Sequence, residues 1–196
     1  MRIYQGIQYL IFLFISISFC ALISCRNNQA KSLSGIAGNI SEHSKNGQKL
    51  TIPDELQAYS PFKNYLLDSN QLAQLPSSKI YAYVNVSCSS CIGDIEKWNE
   101  LIPVFMQNNV PVMLIFYTKD NFEYIKYLCE SGGVKKFPFP FYLDTKNKFS
   151  EQNPIFKEYE MKPVVLVDKN NTIICSGNPL YSEKVKDLYM KQIKKF

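Results

Sequence analysis

The sequence predicts a single α/β domain with a mixed central sheet and helices on both faces, and three observations carry that expectation. Ile80–Val86, a helical stretch after it and Val110–Tyr117 follow the order strand, helix, strand, which builds a parallel βαβ unit. Val164–Val167 and Thr172–Cys175, joined by Asp168-Lys169-Asn170-Asn171, read as an antiparallel hairpin that leads into a last helix. Cys88 and Cys91 form a Cys-x-x-Cys pair at the seam between the first of these strands and its helix.

A chain of 196 residues with 46% hydrophobic content is long enough for one domain with a sizeable core once its ends are set aside. The net charge of +5 is spread over lysines with no run of five or six, which argues against a nucleic-acid partner. Lys184, Lys186, Lys191, Lys194 and Lys195 near the end read as a solvated helix face.

Taken in order, the chain opens on Met1-Arg2 and an almost unbroken apolar run from Ile7 to Ile23, the layout of an export signal over 1–24. The run ends in Leu22-Ile23-Ser24-Cys25, which resembles the bacterial lipobox. That resemblance implies cleavage before Cys25, lipidation of Cys25 and a stable membrane anchor. An uncleaved anchor helix is the alternative, since about 20 apolar residues suffice to span a bilayer. Either leaves the rest outside the inner membrane, and a domain facing the periplasm is the expectation. Residues 25–50 are rich in Ser, Asn, Gln, Gly and Lys and read as a flexible tether that carries the one histidine, His43. Residues 51–78 carry Leu56, Tyr59, Phe62, Tyr65, Leu66 and Leu67, and are expected to pack on the domain edge as a short helix or extended arm.

The domain proper is expected over 79–196. Ile80–Val86 is β-branched, aromatic and uncharged, the pattern of a buried strand. Ile92, Ile95, Trp98, Ile102 and Phe105 recur at helical spacing, with Pro103 expected to kink or end that helix. After the second strand, Asp120 reads as an N-cap with Glu123 three positions on, and Gly132-Gly133 as the stop of the next helix. Phe137–Leu143 carries Pro138 and Pro140 and suits an edge strand. Phe149–Tyr159 reads as a helical turn or two. The hairpin follows, and Ser182–Phe196 closes the chain as a helix, apolar at Val185, Leu188, Tyr189 and Ile193.

Two cysteines in the first turn of a helix can close a small disulfide ring, and the unpaired N–H groups there favour a thiolate. Cys88 is the expected nucleophile and Cys91 the resolving thiol. Cys88-Ser-Ser-Cys91, Phe139-Pro-Phe-Tyr-Leu-Asp144, and Lys162-Pro163-Val-Val-Leu-Val-Asp168 leading to Thr172-Ile-Ile together resemble the thioredoxin-like superfamily. The likeness is to its exported, membrane-tethered branch of TlpA- and ResA-like thiol–disulfide oxidoreductases, and covers about 79–196. The resemblance implies a thioredoxin-like fold, a cis Pro163 facing the dithiol, protein thiols or disulfides as substrates, and a membrane electron donor or acceptor as partner. No cofactor and no metal are expected. The chain departs from the family where Ser87 stands for the usual tryptophan, and where Ala82 stands for the buried acid of many thioredoxins, so a proton acceptor for Cys91 is missing there.

Lys162 precedes Pro163 and by the resemblance lies against the active-site disulfide. Its ammonium is expected to favour the Cys88 thiolate and to make the couple more oxidising than thioredoxin's about −270 mV. A thioredoxin-fold binding or redox-sensing module with a structural dithiol and a Cys-x-x-Cys metal site are the alternatives. Peroxidase chemistry lacks the Pro-x-x-x-Thr-x-x-Cys arrangement around Cys88. A disulfide between Cys129 and Cys175 stays open.

Overall fold

The computed structural model describes residues 47–75, 77–157 and 162–195. The signal segment over 1–24, the lipidation site Cys25, and the tether as far as residue 46 lie outside the described residues. The elements in chain order are β1 (Gln57–Tyr59), α1 (Ser69–Gln74), β2 (Lys79–Asn85), α2 (Ser89–Met106), β3 (Val112–Tyr117), α3 (Glu123–Ser131) and β4 (Phe141–Leu143). Then come α4 (Lys148–Gln152), a 3-10 turn (Pro154–Phe156), β5 (Val164–Val167), β6 (Ile173–Ser176) and α5 (Glu183–Ile193).

The strands form one six-stranded sheet in the order β1-β4-β3-β2-β5-β6. β2, β3 and β4 run parallel to one another, whereas β5, β6 and β1 are antiparallel to their neighbours. The two central strands, β2 and β3, are buried along nearly their whole length, so both faces of the sheet are covered there. Their continuous runs of Val, Ile, Leu and aromatic residues meet that requirement. Ala82 lies in the middle of the sheet, paired with Leu114 on one side and Val164 on the other.

α2 lays Ile92, Ile95, Trp98, Ile102 and Phe105 into the core, with Trp98 and Phe105 almost wholly enclosed. Burying an aromatic side chain of this size contributes roughly 3 kcal/mol. The helix runs through Pro103 to Met106 instead of ending at the proline. Pro103 sits in the last turn, so its missing N–H affects one carbonyl near the helix end and no longer ladder beyond it.

Three local readings change. The β4 segment is shorter than expected and is not an edge, because Gln57–Tyr59 from the preamble pairs beside it. Asp120 does not cap α3; its N–H bonds the Thr118 hydroxyl, and Asn121 Oδ1 takes the Glu123 N–H at 3.0 Å. Gly132 does end that helix, at φ 79. At the end of the expected tether, Leu50 is buried and its N–H bonds Asn171 at 2.7 Å, while Lys49 bridges Thr172, so 47–50 is tied to the hairpin. The preamble is fastened by Asn153, whose Oδ1 accepts from Thr51 N–H at 2.8 Å and whose Nδ2 donates to Thr51 O at 2.7 Å. Among the described residues no helix is long and apolar enough to cross a membrane.

Candidate active site

The site forms where β2 hands over to α2. Asn85 Oδ1 accepts the Ser87 N–H at 2.9 Å, turning the chain as it leaves the sheet, and Ser87 Oγ meets Thr118 Oγ1 at 2.7 Å on the neighbouring loop. Cys88 then stands at the N-cap of α2 with extended backbone. Its carbonyl accepts the N–H groups of Cys91 and Ile92, each at 3.0 Å, so the helix starts between the two cysteines.

The two thiols have opposite surroundings. Cys88 is partly exposed, its sulfur 3.2 Å from Ser90 Oγ, and its pKa is lowered to about 7 by the Cys91 thiol, by Ser90 and by the Cys91 backbone N–H. Cys91 is buried, and burial together with its hydrogen bond to Cys88 pushes it up to about 11, while Lys162 pulls the other way. The S–H of Cys91 thus supports a thiolate on Cys88. All four cysteines of the described region are free thiols, Cys129 and Cys175 included, and burial raises those two to about 11 and about 12.

Pro163 enters β5 beside β2, and its carbonyl accepts the Tyr83 N–H at 3.5 Å. Its peptide bond is trans, because no cis bond occurs among the described residues, which corrects the expected cis form. The turn is made instead at Lys162, which takes a left-handed conformation at φ 43, with its carbonyl held by Asn178 Nδ2 at 2.9 Å.

Lys162 also departs from its expected role. Its Nζ lies 2.7 Å from Asp94 Oδ2 and 2.8 Å from the Tyr181 hydroxyl, and its charge acts on Cys91. Asp94, one helical turn after Cys91, is buried and takes three donors: Lys162, the Tyr181 hydroxyl, and Lys97 at 2.9 Å through Oδ1. Burial works against its charge, but those donors prevail and hold the carboxyl below the usual carboxylate range. The cations of Lys97 and Lys162 lie 4.8 and 5.1 Å from the Tyr181 ring centre.

Asp94, Lys97 and Tyr181 were not among the residues expected from sequence. Asp94 lines the same small cavity as Ala82, Cys91 and Lys162, so a carboxylate stands near the resolving thiol although the strand supplies none. A second, open groove runs past Cys88, Cys91, Thr118, Lys119 and Lys162. Among the described residues no group of three or more His, Cys, Asp or Glu is placed to hold a metal.

No family model and no curated protein matches the chain in sequence. Solved structures do resemble it. A chain described as thiol:disulfide interchange protein DsbE from Chlorobium tepidum aligns at TM-score 0.52 and 13% identity, over 76% of this chain and 98% of that one. The thioredoxin domain of a thiol-disulfide oxidoreductase from Bacteroides vulgatus aligns at TM-score 0.48 and 11% identity, over 73% and 96%. Peroxiredoxin Q from Xanthomonas campestris aligns at 0.49 and 15%, over 75% and 92%. At such identities the likeness is one of fold. With parallel β2-α2-β3, the antiparallel β5-β6 hairpin, closing α5 and the DsbE match, the chain has the thioredoxin-like fold.

Proposed function

We propose that the protein is a membrane-tethered, extracytoplasmic thiol–disulfide oxidoreductase acting on protein thiols and disulfides. The observation that carries this reading is the asymmetry of the dithiol, an accessible thiol near pKa 7 at a helix start beside a buried one near 11. In the reductive direction the Cys88 thiolate attacks one sulfur of a partner disulfide, and the other partner sulfur leaves as a thiolate. Cys91, giving up its proton, attacks Cys88 Sγ. The mixed disulfide breaks, the Cys88–Cys91 bond forms, and two electrons have passed to the partner, whose two sulfurs leave as thiolates and take up the proton released by Cys91 and one from solvent. The oxidative direction runs the same steps backwards.

The Cys88 pKa is lowered to about 7 by the Cys91 thiol and Ser90, and Lys162 acts on the other sulfur, so the sequence-based cause for a more oxidising couple is moved from Cys88 to Cys91. The measured reduction potential, set against thioredoxin's about −270 mV, decides the direction of the couple. A value below about −300 mV would favour the alternative of a structural dithiol in a binding module. Insulin reduction by the purified domain tests the reading directly. Activity lost in Cys88→Ser supports it, and full activity in that variant overturns it.

The tether reading rests on Leu22-Ile23-Ser24-Cys25 and the apolar run before it. Lipidation of Cys25 would hold the domain at the membrane, within reach of a membrane electron donor or acceptor. Labelled palmitate incorporated by the wild type and not by Cys25→Ala is the expected result; equal labelling overturns it.

A further inference from the structure

We propose that the Lys162 ammonium, fastened by Asp94 and Tyr181, is the charge that stabilises the Cys91 thiolate in the resolving step. This rests on the oxidoreductase reading and assigns the second half of its reaction. Cys91, Asp94 and Lys162 line one cavity of about 30 Å³, walled by Tyr83, Trp98 and Val164. Lys162 is fixed from both ends: Nζ bonds Asp94 and Tyr181, and its carbonyl accepts from Asn178 in a left-handed turn that is unfavourable for a non-glycine residue. A side chain held this way keeps its charge aimed at one place.

The alternative, in which Asp94 takes the Cys91 proton, is disfavoured by the same contacts. A carboxylate that accepts from two lysines and a tyrosine is held below the ordinary range, while burial pushes the thiol up, so transfer between them runs uphill. Asp94 instead keeps Lys162 protonated, raising its pKa. Lys97, half-exposed on the same helix, also faces Asp94 and the Tyr181 ring.

The reaction makes the requirement specific. Once Cys88 is tied up in a mixed disulfide, it is no longer a thiolate that accepts the Cys91 hydrogen bond. Burial still opposes ionisation, and Lys162 is the cation that lines the same cavity as Cys91 and acts on its charge. The Cys91 proton passes to solvent, its sulfur attacks Cys88 Sγ, the Cys88–partner bond breaks, and the partner thiolate leaves and is protonated.

Reduced protein mixed with excess 2,2′-dithiodipyridine, a neutral disulfide, separates the two halves. The first pyridine-2-thione released reports Cys88 attack, and the second reports resolution. The stopped-flow record of Lys162→Met is expected to keep the first phase within about twofold of wild type and to slow the second roughly tenfold, one pKa unit of thiolate stabilisation. The pH midpoint of the second phase should move upward, and Lys162→Arg should restore most of the rate. Equal second phases in wild type and Lys162→Met overturn the proposal, as does an equal slowing of both phases. Should Lys162→Met fail to fold, a Lys162→Arg second phase slowed as far as tenfold also overturns it. Absence of any fast first phase in the wild type sinks the oxidoreductase reading itself, a distinct outcome.

Discussion

Asp94→Asn is the substitution that most directly probes the charged cluster. The change keeps the side chain's shape and removes its charge, leaving Lys97 and Lys162 facing a neutral amide whose NH₂ repels at least one of them. Breaking a buried ion pair by removing one partner costs about 3–5 kcal/mol. The cost here is smaller because Lys97 is 51% exposed and Lys162 29% exposed, so both ammonium groups can turn towards water. Roughly 2 kcal/mol remains, which lowers Tm by roughly 4–8 °C in a domain of this size. Because the folded-state pKa of Asp94 lies below its unfolded value, the carboxylate's contribution is fully present above the unfolded pKa of about 3.9 and is lost as pH falls through the lower folded value. Urea unfolding followed by Trp98 fluorescence should therefore show wild type more stable than Asp94→Asn at pH 7, with the gap narrowing below about pH 4. Equal midpoints at pH 7, or a gap that persists undiminished at pH 3, would refute the reasoning.

Two further outcomes follow from the described surroundings. Iodoacetamide at pH 7 should label Cys88 alone in the reduced protein, with a rate that rises through a midpoint near pH 7, because Cys91, Cys129 and Cys175 are buried and held near 11 to 12; peptide mapping that finds Cys129 or Cys175 labelled as fast contradicts this. Gly177→Ala should cost roughly 2 kcal/mol or more by urea unfolding, since Gly177 sits at φ 129, its N–H is tied to Val164 at 2.9 Å, and an added Cβ meets both Val185 methyls at 3.1 Å. An unchanged midpoint would show that this turn can shift.

The central strands and the dithiol were legible because each rests on a local pattern: uncharged runs for β2 and β3, and a Cys-x-x-Cys at a strand-to-helix seam. β1 was not, because Gln57-Ala-Tyr59 has no pattern of its own and becomes a strand only by pairing with β4, far along the chain. The same holds for Lys162, whose backbone turn is fixed by Asn178 and whose ammonium is fixed by a helix that begins more than sixty residues earlier. One signal for the cluster was present and unread. Asp94 falls on the helix stripe of Cys91, Ile95 and Trp98, where a carboxylate facing the core needs partners to offset its lost hydration. With neither histidine nor arginine in the domain, the charged donors on hand are lysines, and the segment entering β5 supplies Lys162 while the one leaving β6 supplies the Tyr181 hydroxyl. The acid absent at Ala82 and the acid present at Asp94 are therefore different in kind. A lone carboxylate on the central strand would meet the resolving thiol as a base, whereas one engaged by two lysines serves to hold a cation in place, and the charge that reaches Cys91 has the opposite sign.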